Sequence, residues 1–147
     1  MIGKLFVYGS LMTDFFNYNK ILKDRVINSE KAFVFGTLYH LKKKGYPGLI
    51  NKGNTKIYGE ILTINDYDEM LIKTDLLEGF RGDFSTENEY NRMPMTVINE
   101  RTKENLELDV YVYNPNAFNN YFDDRIPIKN GCWRKYMDSK LMKNETE

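Results

Sequence analysis

Leu5-Phe6-Val7-Tyr8-Gly9-Ser10-Leu11 is the stretch on which the reading of this 147-residue chain turns. Lys4 to Tyr8 is short and almost wholly apolar or aromatic, the composition of a buried strand, and it stops at Gly9-Ser10. A glycine there lets the backbone turn sharply, so that successive N–H groups can converge on a carboxylate or an oxyanion. The same residues also make an ordinary tight turn with an incidental serine, so the motif needs company before it implies chemistry.

Working outward, Phe15 to Leu22 carries apolar residues at roughly helical spacing and predicts a short helix. Ala32 to Leu41 reads as a strand broken by the turn Lys43-Lys44-Gly45-Tyr46-Pro47-Gly48, and Lys56 to Ile64 alternates apolar and polar side chains as a half-buried strand does. Asp66 to Leu77 is the strongest helix. Met70, Leu71, Leu76 and Leu77 supply much of its apolar face, and Asn65 or Asp66 stands at its capping position. Arg92 to Asn99 and Leu106 to Tyr113 predict two strands joined by the charged turn Glu100 to Glu104, and a last helix is expected over Trp133 to Met142. Regular βαβ alternation is missing, which argues against a doubly wound parallel sheet and favours an α+β fold with a mixed or antiparallel sheet. With no repeat or Pro/Ser-rich linker, residues 1–142 form one expected domain, and the acid-rich 143–147 a frayed tail.

Composition narrows the function. Lys plus Arg (21) equals Asp plus Glu (21), so no net charge draws the chain to nucleic acid or to an anionic membrane. One cysteine, Cys132, and one histidine, His40, leave neither a disulfide framework nor a zinc ligand set, and no metal or cofactor is expected. The apolar run at the start is too short for a signal peptide, and nothing approaches a membrane span, so the expected address is the cytoplasm.

A second candidate site is Leu77-Glu78-Gly79-Phe80, closing the strongest helix. A carboxylate flanked by large apolar residues can lose solvent and have its pKa raised toward neutrality, as a general acid/base requires. Its plainer reading is an exposed helix-end glutamate with Gly79 as the stop signal. Tyr90 and Arg92 share one face of a strand, where a surface pair is the plainer account. Ser10 or Cys132 acting as a nucleophile lacks a convincing histidine partner.

Taken in order, these segments resemble the γ-glutamylcyclotransferase-like superfamily. The pieces are Leu5 to Leu11, Gly36-Thr37-Leu38-Tyr39, Tyr46-Pro47-Gly48-Leu49, Tyr58-Gly59-Glu60-Ile61, Leu77 to Phe80, Tyr90-Asn91-Arg92, Val110-Tyr111-Val112-Tyr113 and Gly131-Cys132-Trp133-Arg134. The resemblance implies a small β-barrel flanked by short helices, with one cavity at its mouth. It also implies release of 5-oxoproline from a small-molecule γ-glutamyl compound. In that family the loop matching Tyr8, Gly9, Ser10 and Leu11 grips the γ-glutamyl part, and the glutamate matching Glu78 carries the proton. Tyr90, Arg92 and Tyr113 carry over as pocket lining or support. The stretch from Gly79 to Glu89 is longer and more polar than the family pattern, and Cys132 stands where relatives often have an acidic residue. A non-catalytic ligand-binding module on the same fold is the alternative function.

Overall fold

The apolar run that opens the chain becomes β1 (Ile2–Val7), and its burial deepens toward Val7 until Leu5 and Phe6 have no solvent exposure. In the computed structural model, which describes residues 1–83, 85–117, 120 and 124–146 and side chains only as far as Lys140, β1 is followed by the Gly9 turn and short helical turns. The expected helix over Phe15 to Leu22 is only partly formed. A π-helical turn covers Tyr18–Leu22 and a 3₁₀ turn covers Lys23–Arg25, with Tyr18 and Leu22 inward.

Next come β2 (Val26–Leu41) and β3 (Tyr46–Asn65), a long hairpin. Tyr46, Pro47 and Gly48 belong to β3 rather than to the turn, and the register jumps between Gly36 and Thr37. Helix α1 (Tyr67–Glu78) follows, then β4 (Tyr90–Asn99), β5 (Asn105–Tyr113), the short β6 (Arg125–Pro127) and α2 (Trp133–Thr146). The five strands β1–β3–β2–β4–β5 pair in a ring, which closes where Leu5 meets Asp109 in parallel; β6 adds to β2. All other pairings are antiparallel, so this is a mixed barrel with flanking helices, an α+β fold. Closure leaves its strands without free edges over the paired length. The core comprises inward side chains such as Leu5, Leu38, Ile57, Ile61, Leu62 and Val110.

Asp66 precedes α1 with a left-handed φ of 54°, but its side chain makes no capping bond and instead pairs with Arg25 at 3.1 Å. Gly79 ends the helix at φ 66°, and its N–H caps carbonyls of the last turn. Met70, Leu71 and Thr74 face inward, whereas Leu76 and Leu77 are exposed. Among the described residues no helix is long and apolar enough to cross a membrane. The tail expected at 143–147 falls on residues whose side chains, and for Glu147 the backbone too, lie outside the described set.

Candidate active site

The closing end of β1, the opening of β3 and of β4, and the latter part of β5 meet at one end of the barrel. There they enclose a cavity of ≈ 50 Å³ with the C-terminal turn of α1 across it. Phe6, Tyr8, Tyr90 and Tyr111 form its buried floor, and the more accessible Ser10, Asn17, Tyr46 and Leu77 form its rim. Tyr8, Gly9, Ser10, Leu11, Glu78 and Tyr90, all singled out in the sequence, line this one space.

Glu78 is half-buried, and its carboxyl accepts no hydrogen bond and forms no ion pair among the described residues. Burial pushes its pKa up to about 8, with the Glu89 carboxylate adding to the effect. The side chain is therefore poised to gain and lose a proton near neutral pH. Facing it is the turn after β1. Its fold is fixed by bonds from Met12 N to Gly9 O (2.9 Å) and from Tyr18 N to Ser10 O (3.1 Å), while the N–H groups of Gly9, Ser10 and Leu11 find no acceptor among the described residues. Pro47 packs so closely on Gly9 that an added Cβ would lie 2.7 Å from its ring. The absent side chain thus lets the loop sit against β3. Ser10 Oγ accepts a bond from Asn17 Nδ2 at 2.8 Å, and the lone histidine is occupied elsewhere with Trp133, so no Ser–His pair exists.

The tyrosines of the floor are structural as well as lining. Tyr8 donates to Tyr111 O at 2.6 Å and accepts from Leu49 N at 3.2 Å, and Tyr90 donates to Pro47 O at 2.6 Å. Burial raises the pKa of Tyr8, Tyr90 and Tyr111, so all three stay neutral through the working pH range.

Arg92 and Tyr113 are placed outside this lining. Arg92 reaches the back of α1, where Nε bonds Asp75 Oδ1 at 2.9 Å, Nη1 bonds Asp109 Oδ2 at 2.7 Å, and the guanidinium lies 5.2 Å from the Phe80 ring. Two carboxylates draw it there, away from the cavity. Tyr113 donates to Asn120 O at 3.3 Å and packs edge-on against Tyr90 at 5.6 Å, supporting the floor from behind. Tyr111, two residues earlier on the same strand face, takes the lining position instead. Its hydroxyl donates to Asp75 at 2.6 Å and lies 2.7 Å from Thr74 Oγ1.

Sequence reasoning did not single out Asn17, Asp75 or Asn88, and it quoted Tyr46 in a family-like segment without naming it as a site residue. Of the stretch after Glu78, Arg81 and Gly82 are tied to Asn88, which has no exposure. It accepts from Arg81 N (2.7 Å) and donates to Gly82 O and Asn91 Oδ1 (2.9 Å each). The sequence signals a polar loop here, but not that its asparagine is buried and ties Arg81 and Gly82 to Asn91.

The family model described as gamma-glutamyl cyclotransferase, AIG2-like, matches residues 5–135. The chain belongs to this family. The matched span opens on the strand that leads into the Gly9 turn and ends just past Trp133-Arg134, so it contains the whole cavity lining. The fold of this AIG2-like chain is shared by YkqA from Bacillus subtilis (23% identity, TM-score 0.66), covering 96% of this chain and 43% of that one. An AIG2-like protein from Mus musculus matches at 20% identity and TM-score 0.62, covering 85% and 86% of the two chains. A protein from Arabidopsis thaliana matches at 22% and 0.64, covering 99% and 81%. The chain spans less than half the length of YkqA. A search of curated protein sequences gives no match.

Proposed function

We propose that this AIG2-like protein is a γ-glutamyl cyclotransferase. Its substrate is a small γ-glutamyl amide, and the products are 5-oxoproline and the free amine or amino acid. The observation that carries the reading is Glu78, a carboxyl with pKa about 8 that has no partner among the described residues, set across a narrow cavity from backbone N–H groups that lack acceptors among those residues.

A γ-glutamyl amide brings its own nucleophile, the α-amine. Held in a folded conformer it attacks the γ-carbonyl carbon, and such oriented intramolecular attack reaches effective molarities of about 10⁵ M or more. Glu78 as carboxylate accepts a proton from the α-ammonium, and the new C–N bond closes the five-membered ring. The tetrahedral oxyanion is stabilised by the N–H groups of the Gly9–Leu11 turn. The bond to the departing nitrogen then breaks as Glu78 returns the proton to it. Two ammonium protons leave the nitrogen that becomes the lactam N–H, and the expelled amine takes up two; one carboxyl acting twice serves both transfers. The buried phenols of the floor exclude water, which keeps hydrolysis from competing.

Incubating the protein with a panel of γ-glutamyl amino acids and γ-glutamyl amines, and following 5-oxoproline by mass spectrometry, tests this. Glu78→Gln keeps the shape but cannot shuttle the proton, so turnover is expected to fall by roughly 10²-fold or more while substrate still binds. Near-parent rates in that variant would remove Glu78 from the role. No 5-oxoproline from any member would count against cyclotransfer itself.

A further inference from the structure

Behind the cavity wall, next to the end of α1, lies a carboxylate that the mechanism above does not use. Glu89 N donates to Gly79 O at 3.1 Å, so its backbone is tied to the residue that follows Glu78. Its side chain folds back over the same glycine, with Oε2 3.4 Å from where a Cβ on Gly79 would lie. Oε1 is fixed from the other side by Lys44 Nζ at 3.2 Å and by the Tyr46 hydroxyl, and Tyr46 is itself part of the cavity wall. Lys44 is held in turn by Asn120 Oδ1 at 2.5 Å. A charge gripped on both sides beside the proton carrier has a fixed position and therefore a fixed field.

We propose that Glu89 is a positioning residue that tunes Glu78 electrostatically from behind the cavity wall, and that Lys44 limits the strength of that field. The inference rests on the reading of Glu78 as proton carrier. Of the groups that face Glu78, Tyr8 at the end of β1, Tyr90 on β4 and Tyr111 on β5 are neutral phenols held so by burial. Asp75, on α1 itself, is paired with Arg92. Among the described residues Glu89 is the charge left to act, and it acts at a helix C-terminus whose last turn holds no basic residue, where the helix dipole is also negative. Both favour the protonated form of Glu78, and both make its carboxylate a stronger base once formed. Lys44 opposes them. A structure with the carrier alone would leave it a weaker base; a structure with Glu89 but no Lys44 would hold its proton too tightly to release it near neutral pH.

The test is a direct titration of the Glu78 carboxyl by ¹³C NMR, assigned with Glu78→Gln, in the parent, Glu89→Gln and Lys44→Met proteins. The midpoint is expected to fall by about one pH unit in Glu89→Gln and to rise in Lys44→Met, opposite shifts that a general loosening of structure does not produce. Turnover follows. At a pH two units below the parent midpoint, Glu89→Gln is expected to run about tenfold faster relative to its own plateau than the parent does, because the base is ionised earlier. An unmoved midpoint in both variants, or a shift of the same sign in both, overturns the proposal. Should the parent form no 5-oxoproline, cyclotransfer falls while the titration still judges the coupling of Glu89 to Glu78. If Glu89→Gln does not fold, as seen by circular dichroism, the Lys44→Met titration decides alone.

Discussion

At the scale of single residues, the group proposed to carry the proton works against the fold. A carboxyl whose folded pKa is raised from 4.5 to about 8 binds more protons folded than unfolded across that interval. Stability therefore falls as pH climbs through it. Glu78→Gln removes the titration. Discounted for the partial exposure of the residue, the gain is expected to be roughly 2–4 kcal/mol above pH 8 and to vanish near pH 4. Thermal melts of parent and variant at pH 4.5 and 8.5 check this, and equal differences at the two pH values would contradict it. The neighbouring Gly79 carries a second constraint. At φ 66° with Glu89 Cβ 3.0 Å from any added Cβ, Gly79→Ala combines backbone strain with a clash, and a loss of ~1–3 kcal/mol is expected in a denaturant melt. Both residues were visible in the sequence as Leu-Glu-Gly at a helix end. What made Glu78 more than a helix-end glutamate, the walls of the cavity, comes from four strands far apart in the chain, and no local pattern reports that.

At the scale of elements, α1 has to be held in one rotation for Glu78 to face inward, and its apolar face is too sparse to do this alone. Only Met70 and Leu71 among its large apolar residues are buried; Ile72 and Leu76 stand in solvent. The helix is instead bolted on by Asp75, one turn before Glu78, which receives Arg92 from β4 and Tyr111 from β5. Arg92→Leu leaves Asp75 and Asp109 facing each other without their cation. A loss of ~1–3 kcal/mol is expected at these partly exposed positions. Turnover should drop with little change in KM, since the cavity keeps its lining and loses the aim of the carboxyl. A KM rise with unchanged kcat would instead make Arg92 a substrate contact. The sequence placed Tyr90 and Arg92 correctly on one strand face. It could not show that Arg92 turns to α1, because the pairing partner lies 17 residues away on another element. Elements with a clean local signal were legible: the apolar run of β1, the alternation within β3, the charged turn between β4 and β5. The opening of β3 was not, since Tyr46-Pro47-Gly48 looks like a turn until it is paired with β2.

At the scale of the molecule, the site loop is clasped from outside by α2. Trp133 packs on Phe15 at 4.9 Å, Arg134 donates to Thr13 O at 2.8 Å, and both contacts fall on the segment that continues the Gly9 turn. The clasp is latched to the barrel through His40 on β2, whose Nδ1 accepts from Trp133 Nε1 at 3.2 Å while its ring lies 4.7 Å from Tyr136. Protonating His40 would put a hydrogen where Trp133 already donates. Burial, with Lys140 adding to it, holds the pKa of His40 below 6.5. A base with a depressed folded pKa contributes stability above its unfolded value that is lost as pH falls below 6.5. Glu78 has the opposite slope from pH 4.5 to 8, so below pH 6.5 the two offset one another, and stability should fall as pH climbs from 6.5 to 8, where His40 no longer opposes it. The fold is thus expected to be most stable where the enzyme is not yet fully active. Melting temperatures from pH 5 to 9, set beside kcat/KM over the same range, check the offset. His40→Gln keeps an acceptor for Trp133 without a proton to gain, and should let stability go on rising as pH falls below 6.5, with no change above it. Glu78→Gln should level the curve from pH 6.5 to 8 and uncover the His40 loss below 6.5. Melting and activity maxima that coincide in the parent, or a His40→Gln curve that stays level with the parent's from pH 6.5 to 5.5, would refute this assignment of the two slopes to His40 and Glu78.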